Sequence, residues 1–205
     1  MSYTPRGIPL KNRPACGVQT LAIAGIVMCV SDEVVECMSE IDLQEEQKPL
    51  KKEYETDPEA AQITLTATGK EQDDVRACSV DIGRTSYEAE LHEGAGSPGV
   101  GACSGDLLLG ALAACSQLTA QAVAENFGVD INVSVEASGD LDLRGTMAVD
   151  DDVPVGFEAI RLDVSVDGDI DEDTQAALQK YTEKYCVVYQ TLKTPPTVDT
   201  KWTFE

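Results

Sequence analysis

The sequence is short of several things, and each shortage removes a class of function. It has one histidine, His92, and its seven cysteines (Cys16, Cys29, Cys37, Cys78, Cys103, Cys115 and Cys186) include no C-x-x-C pair. The ligand spacing of a zinc site is therefore missing, and no metal is expected. An odd number of irregularly spaced cysteines also does not read as the disulfide framework of a secreted domain, so the expectation is a reducing compartment, the cytoplasm. Basic residues are scarce. The 15 Lys and Arg stand against 37 Asp and Glu, a net charge of -22 at pH 7, which argues against nucleic acid and anionic membranes as partners. The glycine-rich stretch Gly94 to Gly101 lacks the helix-entry spacing of a phosphate-binding loop, so it is read as a plain loop and no cofactor is expected. Internal repeats and low-complexity tracts are absent.

With 42% hydrophobic residues, the chain is nonetheless not a disordered acidic polymer. Acidic residues crowd the turns and the solvent faces of the expected elements, as at Asp150 to Asp152 and Asp167 to Asp173. That pattern suits a protein kept soluble in concentrated salt, as in the cytosol of a halophilic archaeon, although an ordinary acidic protein has the same arithmetic.

Residues 1–37 carry three basic and three acidic residues, so the whole negative surplus lies in residues 38–205. Thr20 to Val30 is apolar behind a basic start but too short to span a bilayer. Three readings stand for this segment: a misplaced start with translation beginning at Met38, a helical extension, or a signal or anchor. In each case residues 1–60 are an N-terminal extension, 38–59 being a loose charged leader, and residues 61–205 form the domain.

The domain is expected to be organised on Ser104 to Gly128. Leu107 to Cys115 is almost unbroken apolar sequence of strong helix formers, continued by Leu118, Ala120, Ala122 and Val123, and a helix this apolar belongs in a core. Ser104 is the expected N-cap, Asp106 lies in the first turn, and Gly128 is the expected left-handed terminator. Strands are expected on either side. Ala61, Ile63, Leu65 and Ala67 alternate with polar residues, and further strands are read at 74–82, 84–91, 131–143 with a bulge at Gly139, and 160–166. Asp171 to Tyr185 reads as a helix, Val187 to Leu192 as a second short one, and Thr197 to Phe204 as a last strand. The fold class is α+β, an antiparallel sheet wrapping a central apolar helix that carries Cys115.

By itself a cysteine in such a helix is an inert core residue, because burial raises the thiol pKa. Two motifs change that reading. GDLLLGALAACS resembles the P-x-E-L-L-L-A-A-L-G-A-C signature of the osmotically inducible protein C and organic hydroperoxide resistance (OsmC/Ohr) family, and YCVVYQTL resembles its second signature, C-P-V-x-x-x-L. The similarity runs from about Ala61 to Glu205, in the same order of strands, cysteine helix, strands, second cysteine and final strand. The resemblance implies an intertwined homodimer with two sites at its interface. It also implies that Cys115 attacks the peroxide O–O bond to give a sulfenic acid, which Cys186 converts to a disulfide that an external thiol or dithiol resets. The implied function is thiol-dependent reduction of hydroperoxides, organic ones given the apolar surroundings of Cys115, in protection against oxidative stress. A non-catalytic binding module on the same fold is the alternative.

The chain departs from the family pattern at two places. The Ohr branch has a glutamate ten residues before the first cysteine, where this chain has Gly105, and the proline after the second cysteine is Val187. The acid of the motif is Asp106, which nine helical residues set about 13.5 Å along the axis from Cys115 and about 180° round it. Asp106 therefore either orients an arginine across a dimer interface or caps the helix. A mid-helix thiolate gains little from the dipole, so a cation is expected at Cys115. Arg76 is the candidate, reading as part of an otherwise apolar strand face, whereas Arg144 and Arg161 fall on polar faces. Its other reading is a residue snorkelling at a sheet edge. The N-terminus of the short helix after Cys186 is expected to lower the pKa of Cys186 itself.

Overall fold

The apolar run at the centre of the sequence forms one long helix, and the rest of the domain is arranged along it. The computed structural model describes residues 42–204; the expectations for residues 1–37 lie outside the described residues. The first element, α1 (Leu43–Thr56), replaces the loose leader expected here. Asp42 caps it, its carboxylate accepting the N–H groups of Gln44 (2.9 Å) and Glu45 (3.2 Å). Leu43, Gln47, Leu50 and Tyr54 share one stripe at helical spacing, a signal easily lost among seven charged neighbours. The side-chain amide of Gln44 donates to the Glu125 carbonyl at the far end of the central helix (3.2 Å).

Four strands follow as one sheet in the order β1-β2-β3-β4: β1 (Ala67–Glu71), β2 (Ala77–Ile82), β3 (Thr85–Glu90) and the two-residue β4 (Ala102–Cys103). The first three pair antiparallel, and β4 runs parallel to the end of β3, with Glu90 opposite Cys103. The strand expected from Ala61 starts only at Ala67, because Pro58–Ala61 is a turn of 3-10 helix and residues 62–66 find no partner. Ile63 is accordingly 75% exposed. The loop from β3 to β4 is held by Glu90, whose carboxylate accepts the Ser97 hydroxyl and the Gly101 amide. That places Cys103 at the start of the central helix.

The central helix, α2, spans Ser104–Phe127. Its N-cap is Cys103 rather than Ser104, and Gly128 ends it in the left-handed region at φ 66°. One stripe (Leu112, Ser116, Ala120, Val123 and Ala124) is buried, whereas Leu118 on another face is 67% exposed. Length and composition alone would let α2 cross a bilayer. Here it serves as the core helix, packed on α4 and on a two-stranded sheet.

That sheet pairs β5 (Asn132–Asp140) antiparallel with β6 (Ala159–Asp167). No bulge occurs at Gly139, which pairs regularly with Ile160. Glycine is required there for another reason: a Cβ would come within 2.7 Å of the Phe157 ring. Leu143 does not resume the strand, since Leu143–Thr146 is a single helical turn, α3. The chain then forms α4 (Glu172–Tyr185), capped by the Asp171 carboxylate on the Thr174 N–H (2.7 Å), and α5 (Val187–Lys193). Val123, Ala124 and Leu178 form the centre of the core, with Ile131, Ile170 and Tyr181 around them. The expected last strand, 197–204, belongs to no sheet, and its Trp202 is 79% exposed.

Candidate active site

Two of the predicted residues meet and two do not. Cys115 lies halfway along α2, and Cys186 is the residue between α4 and α5, closing one helix and capping the next. The buried stripe of α2 faces α4, so the chain segment leaving α4 arrives beside the middle of α2. The two thiols are near enough for each to shift the acidity of the other. Both are free thiols; Cys186 is buried at 1% exposure and Cys115 is partly buried.

Burial pushes the Cys115 thiol up, but opposing groups outweigh it: the Val188 N–H, the Cys186 thiol, the Val187 N–H and the Thr119 hydroxyl. The net direction is below the ordinary thiol value. Thr119 has a single hydroxyl proton, which it donates to the Cys115 carbonyl (2.7 Å), so the two amides are the firmer donors. They are the first two N–H groups of α5, which have no acceptor within their own helix. The amides of the short helix thus serve the thiol opposite rather than the thiol that precedes them. Cys186 moves the other way. Burial raises its pKa and the neighbouring Cys115 adds to the rise, against the Ser116 hydroxyl and the Tyr189 N–H. Ser116 Oγ lies 3.3 Å and the Tyr189 nitrogen 3.4 Å from Cys186 Sγ. The expectation that the helix would lower the pKa of Cys186 is therefore corrected, because burial beats one amide.

Arg76 lies in the turn before β2 and not within the strand. Its guanidinium grips Asp74 through two hydrogen bonds (2.9 and 2.7 Å), holding that carboxyl at about 2. It is absent from the groups that lower the pKa of Cys115. Arg144 and Arg161 are likewise taken, by Asp142 and Asp140. Asp106 accepts the Cys103 N–H (2.9 Å) and so closes a capping box. Among the described residues the Cys115 thiol is supported by backbone N–H groups, and no cation is among the groups that lower its pKa.

The departure at Gly105 also has a structural reason. A Cβ there would stand 3.3 Å from the tip of the Phe157 ring, which reaches over the first turn of α2. Phe157 also lines one end of a groove of about 1170 Å3 between β6, α2 and α4, with Leu112, Ile160, Leu162, Leu178 and Cys186 along it. The Thr182 hydroxyl, buried on this groove, has no hydrogen-bond partner among the described residues. Ser116 and Thr182 went unnoticed in the sequence, and the α5 amides were assigned to Cys186 rather than to Cys115. Only the adjacency of Ser116 to Cys115 could have drawn attention to one of them.

A long cysteine-bearing helix packed on a β-hairpin sheet, with a second cysteine delivered by a following helix pair, defines an α+β protein of dithiol type. A family model described as OsmC-like protein matches residues 94–201, just over half of the chain, and the chain belongs to that family. Among solved structures, the OsmC-like protein from Mycoplasma pneumoniae is similar over 65% of this chain and 89% of its own, with a TM-score of 0.53 and 18% identity. The organic hydroperoxide resistance protein OsmC from Legionella pneumophila is similar over 64% and 90%, with a TM-score of 0.51 and 18% identity. An OsmC-like protein of unknown function from Vibrio cholerae is similar over 63% and 94%, with a TM-score of 0.52 and 10% identity. At such identities the likeness is one of fold. No match was found among curated proteins.

Proposed function

We propose that the protein is a thiol-dependent peroxidase that reduces hydroperoxides, organic ones in particular, through Cys115 and Cys186, and serves in protection against oxidative stress in the cytoplasm. The observation that carries this reading is the convergence of two free thiols, Cys115 in the middle of α2 and Cys186 at the junction of α4 and α5, with surroundings that push the first toward the thiolate and the second away from it. A peroxide-reducing pair needs one thiolate ready to attack and one thiol held in reserve. The Cys115 thiolate attacks the outer peroxide oxygen, the O–O bond breaks, and the alkoxide leaves and takes up a proton as the alcohol. Cys115 is then a sulfenic acid. Cys186 attacks its sulfur, the S–O bond breaks, and water leaves as the disulfide forms. An external thiol or dithiol restores the pair by two exchange steps. The apolar groove beside Cys186 favours substrates with a hydrocarbon part.

The protein is further proposed to act as a homodimer. Among the described residues, 62–66 and 197–204 carry alternating apolar side chains outside any sheet, with Leu65 and Phe204 among the exposed ones, and apolar strands of this kind call for a partner chain. A second protomer is also the way for Arg76 to reach a cysteine helix, with Asp106 orienting an arginine across the interface.

Separate substitutions test the roles. Cys115→Ser should abolish hydroperoxide consumption, whereas Cys186→Ser should consume one equivalent and stop as sulfenic acid or over-oxidise. Peptide mapping should find Cys115 joined to Cys186; a disulfide from Cys103 or Cys78 to Cys115 would overturn the assignment of the second thiol. The engagement of Arg76 by Asp74 favours one other reading, a binding module without turnover. No hydroperoxide consumption by the wild type would leave that reading standing.

A further inference from the structure

Beside the two thiols stands a third group that this reaction does not yet use. Ser116 follows Cys115 on α2 but points to the other side, into the buried stripe, where its exposure is 0%. Cys186 Sγ is the partner of its hydroxyl, at 3.3 Å. In the resting pair either atom can be the donor. Once Cys186 has given up its proton its sulfur can only accept, so the contact becomes a donation by Ser116, and the Tyr189 N–H supplies a second donor to the same sulfur (3.4 Å).

We infer that Ser116 activates Cys186 for the second half of the reaction, its hydroxyl donating to the Cys186 sulfur as that sulfur gives up its proton and attacks the Cys115 sulfenic acid. The inference rests on the peroxidase reading for its substrate but not for its geometry. In the resolving step the Cys186 sulfur forms the S–S bond, the S–O bond breaks, and the Cys186 proton leaves with the hydroxide as water; Ser116 neither gains nor loses a proton. Its help is needed because Cys186 is buried and no cation among the described residues acts on it. Its acidity is set by burial, Ser116, the Tyr189 N–H and Cys115, and not by Glu158, Glu183 or Lys193, the charged groups on the same groove. A hydrogen bond to a developing charge in such a site is worth about tenfold in rate at the lower end of its range. Ser116 thus divides the labour with α5, whose amides serve the attacking thiol while the hydroxyl on α2 serves the resolving one.

The test compares wild type, Ser116→Ala and Ser116→Thr, each reduced and mixed with one equivalent of cumene hydroperoxide. Loss of hydroperoxide reports the first step, and quenched mass analysis reports the disulfide. Ser116→Ala should keep the first step, slow disulfide formation about tenfold, move the pH profile of that step upward, and gather Cys115 sulfinic acid when peroxide is in excess. Ser116→Thr, which keeps the hydroxyl, should restore the rate. Disulfide formation in Ser116→Ala at the wild-type rate and with the wild-type pH profile would overturn the inference. A parallel arm with diamide makes the two readings separable. There Cys115 adds to the reagent and Cys186 displaces it, so Ser116→Ala should still close slowly even if the wild type proves inert to hydroperoxide; closure at the wild-type rate in this arm would equally overturn the inference.

Discussion

Replacing Val187 by proline should make Cys115 less acidic without disturbing the fold, and it isolates one hydrogen bond. Val187 is the first residue of α5, a position that accepts proline because its N–H has no partner within the helix. The residue before a proline must be extended, and Cys186 already is, at φ -70° and ψ 107°. The Val187 side chain is 71% exposed, so little packing is lost. What disappears is an amide that holds down the Cys115 pKa. A charge-assisted hydrogen bond of about 1.5 kcal/mol corresponds to about tenfold less thiolate at a pH below the wild-type midpoint. A more basic thiolate is also a better nucleophile, with a Brønsted slope of about 0.4–0.5, which returns about threefold. Alkylation of Cys115 by iodoacetamide, followed by peptide mapping across pH, should therefore be about three- to fourfold slower than wild type below the midpoint and about threefold faster on the alkaline plateau. The curves should cross. The linked stability has a definite sign. Folding lowers this pKa, so the thiolate stabilises the native state fully above the ordinary thiol value, and the contribution fades as pH falls through the lowered one. Val187→Pro should cost stability on the alkaline side and little in acid. Superimposable alkylation curves would refute the role given to the α5 amides and return the question to a cation.

Two further outcomes follow from packing and from charge. Gly139→Ala sets a methyl group against the Phe157 ring and should cost about 1–3 kcal/mol, seen as a melting temperature lower by several degrees; Gly69→Ala, with nothing within 4 Å of the new atom, is the control. Equal melting temperatures would show that Phe157 gives way freely. Residues 38–205 hold 34 acidic against 12 basic residues, so thermal stability should rise steeply from millimolar to molar salt as the repulsion is screened. A melting temperature indifferent to salt would count against adaptation to concentrated salt.

Much of this protein was determined by local chemistry and could be read from the sequence. The central helix and its glycine stop, the alternation of β5 and of β6, the helix starting at Asp171 and the short helix after Cys186 all rest on periodicity and caps, which neighbouring residues specify among themselves. The two cysteines were likewise marked by the residues around them. Elements that depend on a distant partner were not legible in this way. Residues 62–66 and 197–204 alternate as strands should, yet a strand forms only where another offers its hydrogen-bonding edge, and the described residues offer them none. Gly139 looked like a bulge because its partner, Phe157, is 18 residues away in the sequence. The acidity of Cys115 was decided at the same level. Nothing in the sequence connects the first amides of α5 with the middle of α2, and it asks for a cation where the tertiary structure sets those two N–H groups near the sulfur. Backbone dipoles have no letter of their own in a sequence, so what they stabilise can be known only once the chain has folded.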